Sequence, residues 1–549
     1  MPNQASTELV IGWKVTPKFH PKYWVDGDNE KKAFGHKPDD LIRILPKYMA
    51  NHTVTVAQSG SGKSFFLGRI VEELLLKTKS RVLVFDPNAD FKKINGVIGP
   101  KTWKDKAHYD SEKGRGFLPD EYDHDDFEQK WEDVKKVVHT MRPKKPNAIE
   151  RKLKIDWTRI SIGFLSENLD AAFESELQDC HEFVRAISDL SFMTKDSEWR
   201  DQHDIVDTAR KICKQTNVKD EEYIRDKIEK EFNAIDETLD WKTINDRLFI
   251  RRRVTKNNAK LIADELLQKA VLYRSFFSDK TQQFYFSNAY AVRDSGLLRA
   301  GNKDFEDLSD ASLQVVDLPS ITEVRFRLLA VSTFLDSEWI RARGEWENAL
   351  QEETEKDDRV PTFIIVDEAH NLIPFEPRNH NEKRLREQFR TIAAEGRKFG
   401  LFLVLVSQRP DKLDKWVLSE CANRAVMKIG SDDVLAETSK ALGLGGIASK
   451  NLNECLNFEI GRALMVGPWA TEGQPTFMYG AMRRTEEGGR NLWEKHWATP
   501  PEKTNINVGA NSESGAADTP SAGAKQVPVP LKLKVPPVTI RVKASPDSN

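Results

Sequence analysis

Short, continuously apolar runs recur along this chain and alternate with stretches of helical period. TVTV (Thr53 to Val56), RVLVFD (Arg81 to Asp86), LQVVDL (Leu313 to Leu318), TFIIV (Thr362 to Val366), LFLVLV (Leu401 to Val406) and Ala425 to Ile429 each have the length of one strand. Strands without alternating polar positions are buried on both faces, so a mostly parallel α/β sheet with helices on each side is expected. Phe66, Ile70, Val71 and Leu74 repeat at the spacing of one buried helix face after the first run. From about 100 to 305 the chain is charged, glycine-poor and mostly helical in period, as in AFESELQDCHEFVRAISDL and NAKLIADELLQKAVLYRSFF, with one strand expected at Thr158 to Phe164. The tail turns rich in Ser, Gly, Ala, Asn and Thr before LKLKVPPVTIRV (Leu531 to Val542) alternates apolar and basic residues. The expected order is a β-rich lead-in (1–50), a first core segment (51–100), a mostly helical insertion (101–308), a second core segment (309–498), a flexible linker (499–526) and a strand-forming tail (527–549).

Composition narrows the class. Of 549 residues, 39% are hydrophobic and 31% charged, enough apolar content for large cores under a charged surface. The longest strongly apolar stretch, Leu401 to Val406, is far short of the roughly 20 residues that cross a bilayer. Lys plus Arg (84) nearly balances Asp plus Glu (86), which excludes a uniformly basic coat but leaves room for a local basic channel. Four scattered cysteines form no C-x-x-C pair and suggest neither a disulfide framework nor a zinc site. With no basic-then-apolar leader at MPNQASTELV, a cytoplasmic location is expected.

AQSGSGKS, Ala57 to Ser64, lies between a strand and an amphipathic helix. Glycines at 60 and 62 let backbone amides wrap phosphates, and the helix N-terminus adds its positive dipole. The expected nucleotide-binding stretch is Ser59, Gly60, Ser61, Gly62, Lys63, Ser64 and Phe65. Lys63 would reach the β- and γ-phosphates of ATP and the Ser64 hydroxyl would hold Mg²⁺. Ala57 stands where glycine is usual in such loops.

TFIIVDEAH ends a strand in two acids, placing carboxylates where an open α/β sheet also holds phosphates. Asp367 would join the Mg²⁺ shell, and Glu368 would take a proton from the attacking water. Gln408, after LFLVLVS, would touch the γ-phosphate or that water, and Asp86 ends a strand in a similar way. Arg397, at the end of the basic helix NEKRLREQFRTIAAEGRK, and Arg424 are candidates for charge stabilisation during phosphoryl transfer, with Arg397 favoured.

SGSGKS, VDEAHNLIP, EGRKFGLFLVLVSQRP and GRALMVGP together resemble the HerA–FtsK branch of RecA-like ATPases, HerA in particular. The resemblance covers about 50–95 and 310–480 and leaves 100–305 and the tail outside. It implies a RecA-like P-loop core, an ATP- and Mg²⁺-dependent homohexameric ring that translocates or unwinds double-stranded DNA, and a separate effector. That effector would be a nuclease or a sirtuin-like NAD-consuming protein, plausible in antiphage defence or DNA end processing. The resemblance gives the family's ATPase roles to Lys63, Ser64, Asp367, Glu368, Gln408 and Arg397. About 50 residues precede the loop, fewer than the N-terminal β-barrel usual in HerA, and the helical segment is longer than a minimal HerA needs.

Basic stretches at His139 to Lys154 and Ile250 to Lys260 are the candidate DNA contacts. Two other readings stand beside the motor: a nucleotide-gated scaffold ring that holds an effector, and a secretion or conjugation coupling ATPase. The absence of an apolar membrane span disfavours the second.

Overall fold

The computed structural model describes residues 8–17, 41–98, 124–144, 149–155, 160, 164, 171–193, 205–214, 221–232, 255–274, 277–297, 311–351, 359–447, 449–470, 473–481 and 483–488. All lie within one unit, Met1–Arg490. The expected linker (499–526) and tail strands (527–549) fall outside the described residues, as does most of Thr158 to Phe164.

The apolar runs form one twelve-stranded sheet. In chain order its strands are β1 (Leu9–Lys14), β2 (Leu41–Ile44), β3 (Thr53–Val56), β4 (Arg81–Asp86), β5 (Lys136–Thr140), β6 (Glu150–Lys152), β7 (Leu313–Asp317), β8 (Thr362–Val366), β9 (Leu401–Ser407), β10 (Asn423–Val426), β11 (Arg462–Val466) and β12 (Thr476–Gly480). Their spatial order is β2-β1-β12-β11-β10-β3-β9-β8-β4-β7-β5-β6. From β10 to β6 every neighbouring pair is parallel; from β10 back to β2 every pair is antiparallel. The parallel part follows from the crossover helices between its strands.

The side-chain period of two divides each strand between two cores. Val54, Val56, Leu83, Phe85, Ile364, Val366, Leu403 and Leu405 face one, while Val82, Val84, Phe363, Ile365, Val404 and Val406 face the other. Helix Lys63–Lys77 lays Phe66, Leu67, Ile70, Val71 and Leu74 on the second face, the stripe expected from its spacing. Helices Val324–Gln351 and His380–Glu395 cover the first. Each fully buried Leu, Val or Phe side chain contributes roughly 1.5–3 kcal/mol of transfer free energy, which fixes the register of both layers.

Two features go beyond the sequence pattern. The segment expected to be a mostly helical insertion also lends the sheet two strands, because β5 pairs with β7 and β6 with β5. Its helix Ala171–Met193 packs with Lys256–Arg274 and Asp279–Asp294 on the first core. The lead-in strands β1 and β2 form the far edge of the same sheet. There β1 is tied to helix Lys63–Lys77 by buried charge. Arg69 Nε donates to the Val10 carbonyl at 3.0 Å, Glu73 accepts from Arg69 at 2.6 Å, and Glu73 also accepts from the Val10 amide at 2.6 Å. Glu72 accepts the amides of Arg484 and Thr485, each at 2.8 Å. Buried charges persist where partners satisfy them, and these hold the helix that carries the loop lysine.

Candidate nucleotide-binding site

Parallel pairing brings the carboxyl ends of five strands to one edge. Val56 is in register with Ser407, Val366 with Leu405, Phe85 with Val366, and Asp86 with Asp317. The loop after β3, Asp367–Glu368 after β8, Gln408 after β9 and the turn after β4 therefore meet. The strand that leads into Gln408 lies between the loop strand and the acidic strand, and the Gln408 side-chain amide reaches Glu368 at the end of the acidic strand.

Within the loop, Gly60 (φ 76°) and Gly62 (φ 93°) adopt left-handed backbone that side-chain-bearing residues avoid. Gly62 also opens helix Lys63–Lys77, and a Cβ there would meet the Gly461 amide nitrogen at 3.1 Å. Gly461 donates to the Ser61 carbonyl at 2.8 Å, so the turn before β11 braces the loop. Ala57 is buried and donates to Ser407, well away from the tight turns, so the missing glycine costs the loop nothing visible.

Lys63 Nζ donates to Asp367 Oδ1 at 3.1 Å and to Glu368 Oε1. Burial opposes the lysine's charge, but the Asp367 and Glu368 carboxylates outweigh it and hold its pKa above the ordinary value. The Gln408 side-chain amide donates to the same Glu368 oxygen. Glu368 takes left-handed backbone (φ 46°), a conformation that costs about 1 kcal/mol or more and turns its carboxylate toward Lys63 and Gln408. Its second oxygen, Oε2, is buried without a hydrogen-bond partner. His370 Nδ1 lies 3.6 Å from that oxygen and 3.1 Å from Ser407 Oγ. Lys63, Ser64, Asp367, Glu368 and Gln408 are thus brought together as the motifs implied.

The oxygen donors fit a hard divalent cation. Ser64 hydroxyl and Asp367 carboxylate suit Mg²⁺, which keeps waters and takes one or two protein ligands beside substrate phosphates. Among the described residues no group of three or more His, Cys, Asp or Glu is placed to hold a metal ion.

Arg397 is not in this group. It is exposed in the turn Gly396–Phe399 that precedes β9, at the amino edge of the sheet, where its charge bears on His52. Arg424, near the start of β10, donates to the Cys421 carbonyl at that same amino edge. An arginine the motif analysis passed over, Arg409, is exposed beside Gln408, and its charge reaches His370.

Sequence reasoning also missed Asn88, Asp90 and His370. The signal was present in FDPNADF, an apolar strand closed by Asp-Pro-Asn and a second acid. Of the candidate DNA stretches, His139 is buried in β5 against Gln314, so it faces the core. Residues 145–148 and 250–254 lie outside the described residues.

The family model of the helicase HerA central domain matches residues 41–335, more than half of the chain. The chain belongs to the HerA central-domain family. The match runs through 101–308, which the motif resemblance had left outside, and pairing of β5 and β6 to β7 gives that continuity a structural basis. The fold is a mostly parallel α/β sheet covered on both faces, with a glycine loop that opens a helix at the carboxyl edge. The DNA double-strand break repair helicase HerA of Saccharolobus solfataricus is 27% identical over 250 residues, 41% of this chain and 48% of that protein. A probable helicase of Methanocaldococcus jannaschii is 37% identical over 118 residues, 21% of each. The chain thus spans between a fifth and about half the length of these curated relatives. Among solved structures, the bacterial conjugative coupling protein TrwB aligns over 81% of this chain and 90% of its own, with a TM-score of 0.37 and 14% identity. No described helix is long and apolar enough to cross a membrane.

Proposed function

We propose that this HerA-family chain is the ATP-hydrolysing subunit of a homohexameric ring that moves along or unwinds double-stranded DNA. It works beside a separate effector, a nuclease or a sirtuin-like NAD-consuming protein, in DNA end processing or antiphage defence in the cytoplasm. The observation that carries this reading is the meeting of Lys63, Asp367, Glu368 and Gln408 at one sheet edge, beside a glycine loop at a helix N-terminus.

The chemistry follows from those positions. Loop amides and the Lys63 ammonium bind the phosphates and offset charge that builds on them in the transition state. Ser64 and Asp367 would hold Mg²⁺, which when bound supplies further charge neutralisation. Glu368 accepts the proton of the attacking water, and its unpartnered Oε2 is free for that bond. The Gln408 amide, already on Glu368 Oε1, orients the same water.

ATP turnover with and without duplex DNA, together with native mass, tests the reading. A motor hydrolyses ATP faster on DNA and assembles as a ring; a DNA-indifferent ring would leave the scaffold reading standing instead. Lys63→Ala abolishes nucleotide binding. Glu368→Gln keeps ATP bound and lowers turnover by about 10²–10⁴-fold. Wild-type turnover in Glu368→Gln would remove Glu368 from the chemistry.

A further inference from the structure

The turn after β4 holds both groups assigned to Mg²⁺. Asp86 closes it by accepting the amides of Asn88 at 3.2 Å, Asp90 at 3.1 Å and Phe91 at 2.9 Å. Between them Ala89 sits in left-handed backbone (φ 61°), and Gly488 donates to the Asp90 carbonyl at 2.9 Å. Strain in a non-glycine residue persists only where its surroundings over-determine it. The product of this construction is specific. Asp90 Oδ2 accepts the Ser64 hydroxyl at 2.5 Å, and Asn88 Nδ2 donates to Asp367 Oδ2 at 3.0 Å.

From this geometry we infer that Asp90 is a positioning residue for the divalent cation, acting through Ser64, with Asn88 doing the same for Asp367. The inference rests on the ATPase reading above. A serine hydroxyl that coordinates a cation must aim its lone pairs at the metal and give its proton to another acceptor. Asp90 is that acceptor. A carboxylate there also makes the serine oxygen more electron-rich, as second partners of metal ligands generally do. Asn88 leaves Asp367 Oδ1 to Lys63 and fixes the plane of the carboxylate by holding Oδ2. Asp86 provides the scaffold rather than a contact, since its oxygens are taken up by backbone amides.

The test separates metal from nucleotide. Affinity of the full chain for ADP is measured in EDTA and again with Mg²⁺, and Mn²⁺ binding to the ADP complex is followed by electron paramagnetic resonance. Asp90→Asn and Asp90→Ala leave ADP affinity in EDTA unchanged and weaken Mn²⁺ binding to the complex by about 10–100-fold. Asp90→Glu restores part of the loss, and Asn88→Ala shifts Mn²⁺ affinity in the same direction. Wild-type Mn²⁺ affinity in Asp90→Asn overturns the inference. So does an equal fall of ADP affinity in EDTA and in Mg²⁺, which would mark a turn that merely shapes the loop. A wild-type chain that binds no nucleotide, or binds it equally well after Lys63→Ala, would instead sink the ATPase reading itself.

Discussion

Acidification should loosen this protein at a defined residue, His52. Its ring is fully buried just before β3, the strand that leads into the phosphate loop. The Leu403 amide donates to Nδ1 at 2.9 Å, so Nε2 carries the proton and donates to the Ala393 carbonyl at 3.0 Å. One neutral tautomer therefore joins β3, β9 and helix His380–Glu395. A proton on Nδ1 would expel the Leu403 amide. Burial lowers the His52 pKa to about 4; the Ala393 carbonyl opposes this and the Arg397 charge adds to it. The sign follows from proton counting: between pH 6.5 and about 4 the unfolded chain takes up a proton that the folded one refuses. Stability therefore falls as pH drops through that window. The separation is worth about 3 kcal/mol at roughly 1.4 kcal/mol per pH unit. His139, lowered to about 4, and His181, lowered to about 3, act in the same direction. Comparison with His52→Asn isolates His52, because the other two are shared. The variant loses the Ala393 bond and about 1–3 kcal/mol at neutral pH. Urea unfolding and hydrogen exchange of the Leu403 amide, at pH 7 and pH 4, read the difference. On acidification the variant should gain about 3 kcal/mol relative to wild type, which closes or reverses the gap. A gap of equal size at both pH values refutes the neutral-tautomer argument.

Two predictions concern assembly. Mixing Arg397→Ala subunits with Lys63→Ala subunits restores part of the ATP turnover if Arg397 serves a neighbour's site; inactivity at every ratio, measured by phosphate release, rejects that role. Deleting residues 527–549 leaves ADP affinity unchanged and weakens ring or effector assembly, and an unaltered native mass with and without the effector would reduce that segment to a passive tail.

How much of this was legible in the sequence depended on where each signal lay. Buried parallel strands have no polar alternation, so TVTV, TFIIV and LFLVLV declared themselves, and with them the edge where Lys63, Asp367, Glu368 and Gln408 converge. The phosphate loop was readable because glycine at 60 and 62 is dictated by local backbone. Strand order was not: β9 slots between β3 and β8 although some 345 residues separate β3 from it, and no local pattern encodes that pairing. Asn88 and Asp90 escaped notice because Asp-Pro-Asn reads as an ordinary turn until the turn is folded against Ser64 and Asp367. The strands β5 and β6 were hidden in a segment whose average composition is helical and charged. KVVHT is short, and its burial comes from β7 rather than from its own neighbours.

The position of β9 also constrains what one chain can do alone. Its seven residues are buried throughout, so a charged side chain has no place along its length. Polar chemistry is pushed to its two ends. Ser407 and Gln408 sit at the carboxyl end with Lys63 and Glu368, whereas Arg397 precedes the amino end beside the elements that His52 joins. At about 3.3 Å per residue the strand separates those ends by roughly 20 Å, far beyond the reach of an arginine side chain. Because β9 is pinned between β3 and β8 by parallel pairing on both sides, it cannot slide to shorten that distance without breaking both ladders. If Arg397 meets a phosphate at all, the phosphate belongs to another copy whose carboxyl edge faces this copy's amino edge. Such a head-to-tail contact repeats from subunit to subunit and either closes as a ring or runs on as an open filament, so trans action of Arg397 would support the proposed ring, while its failure would remove only the arginine's role.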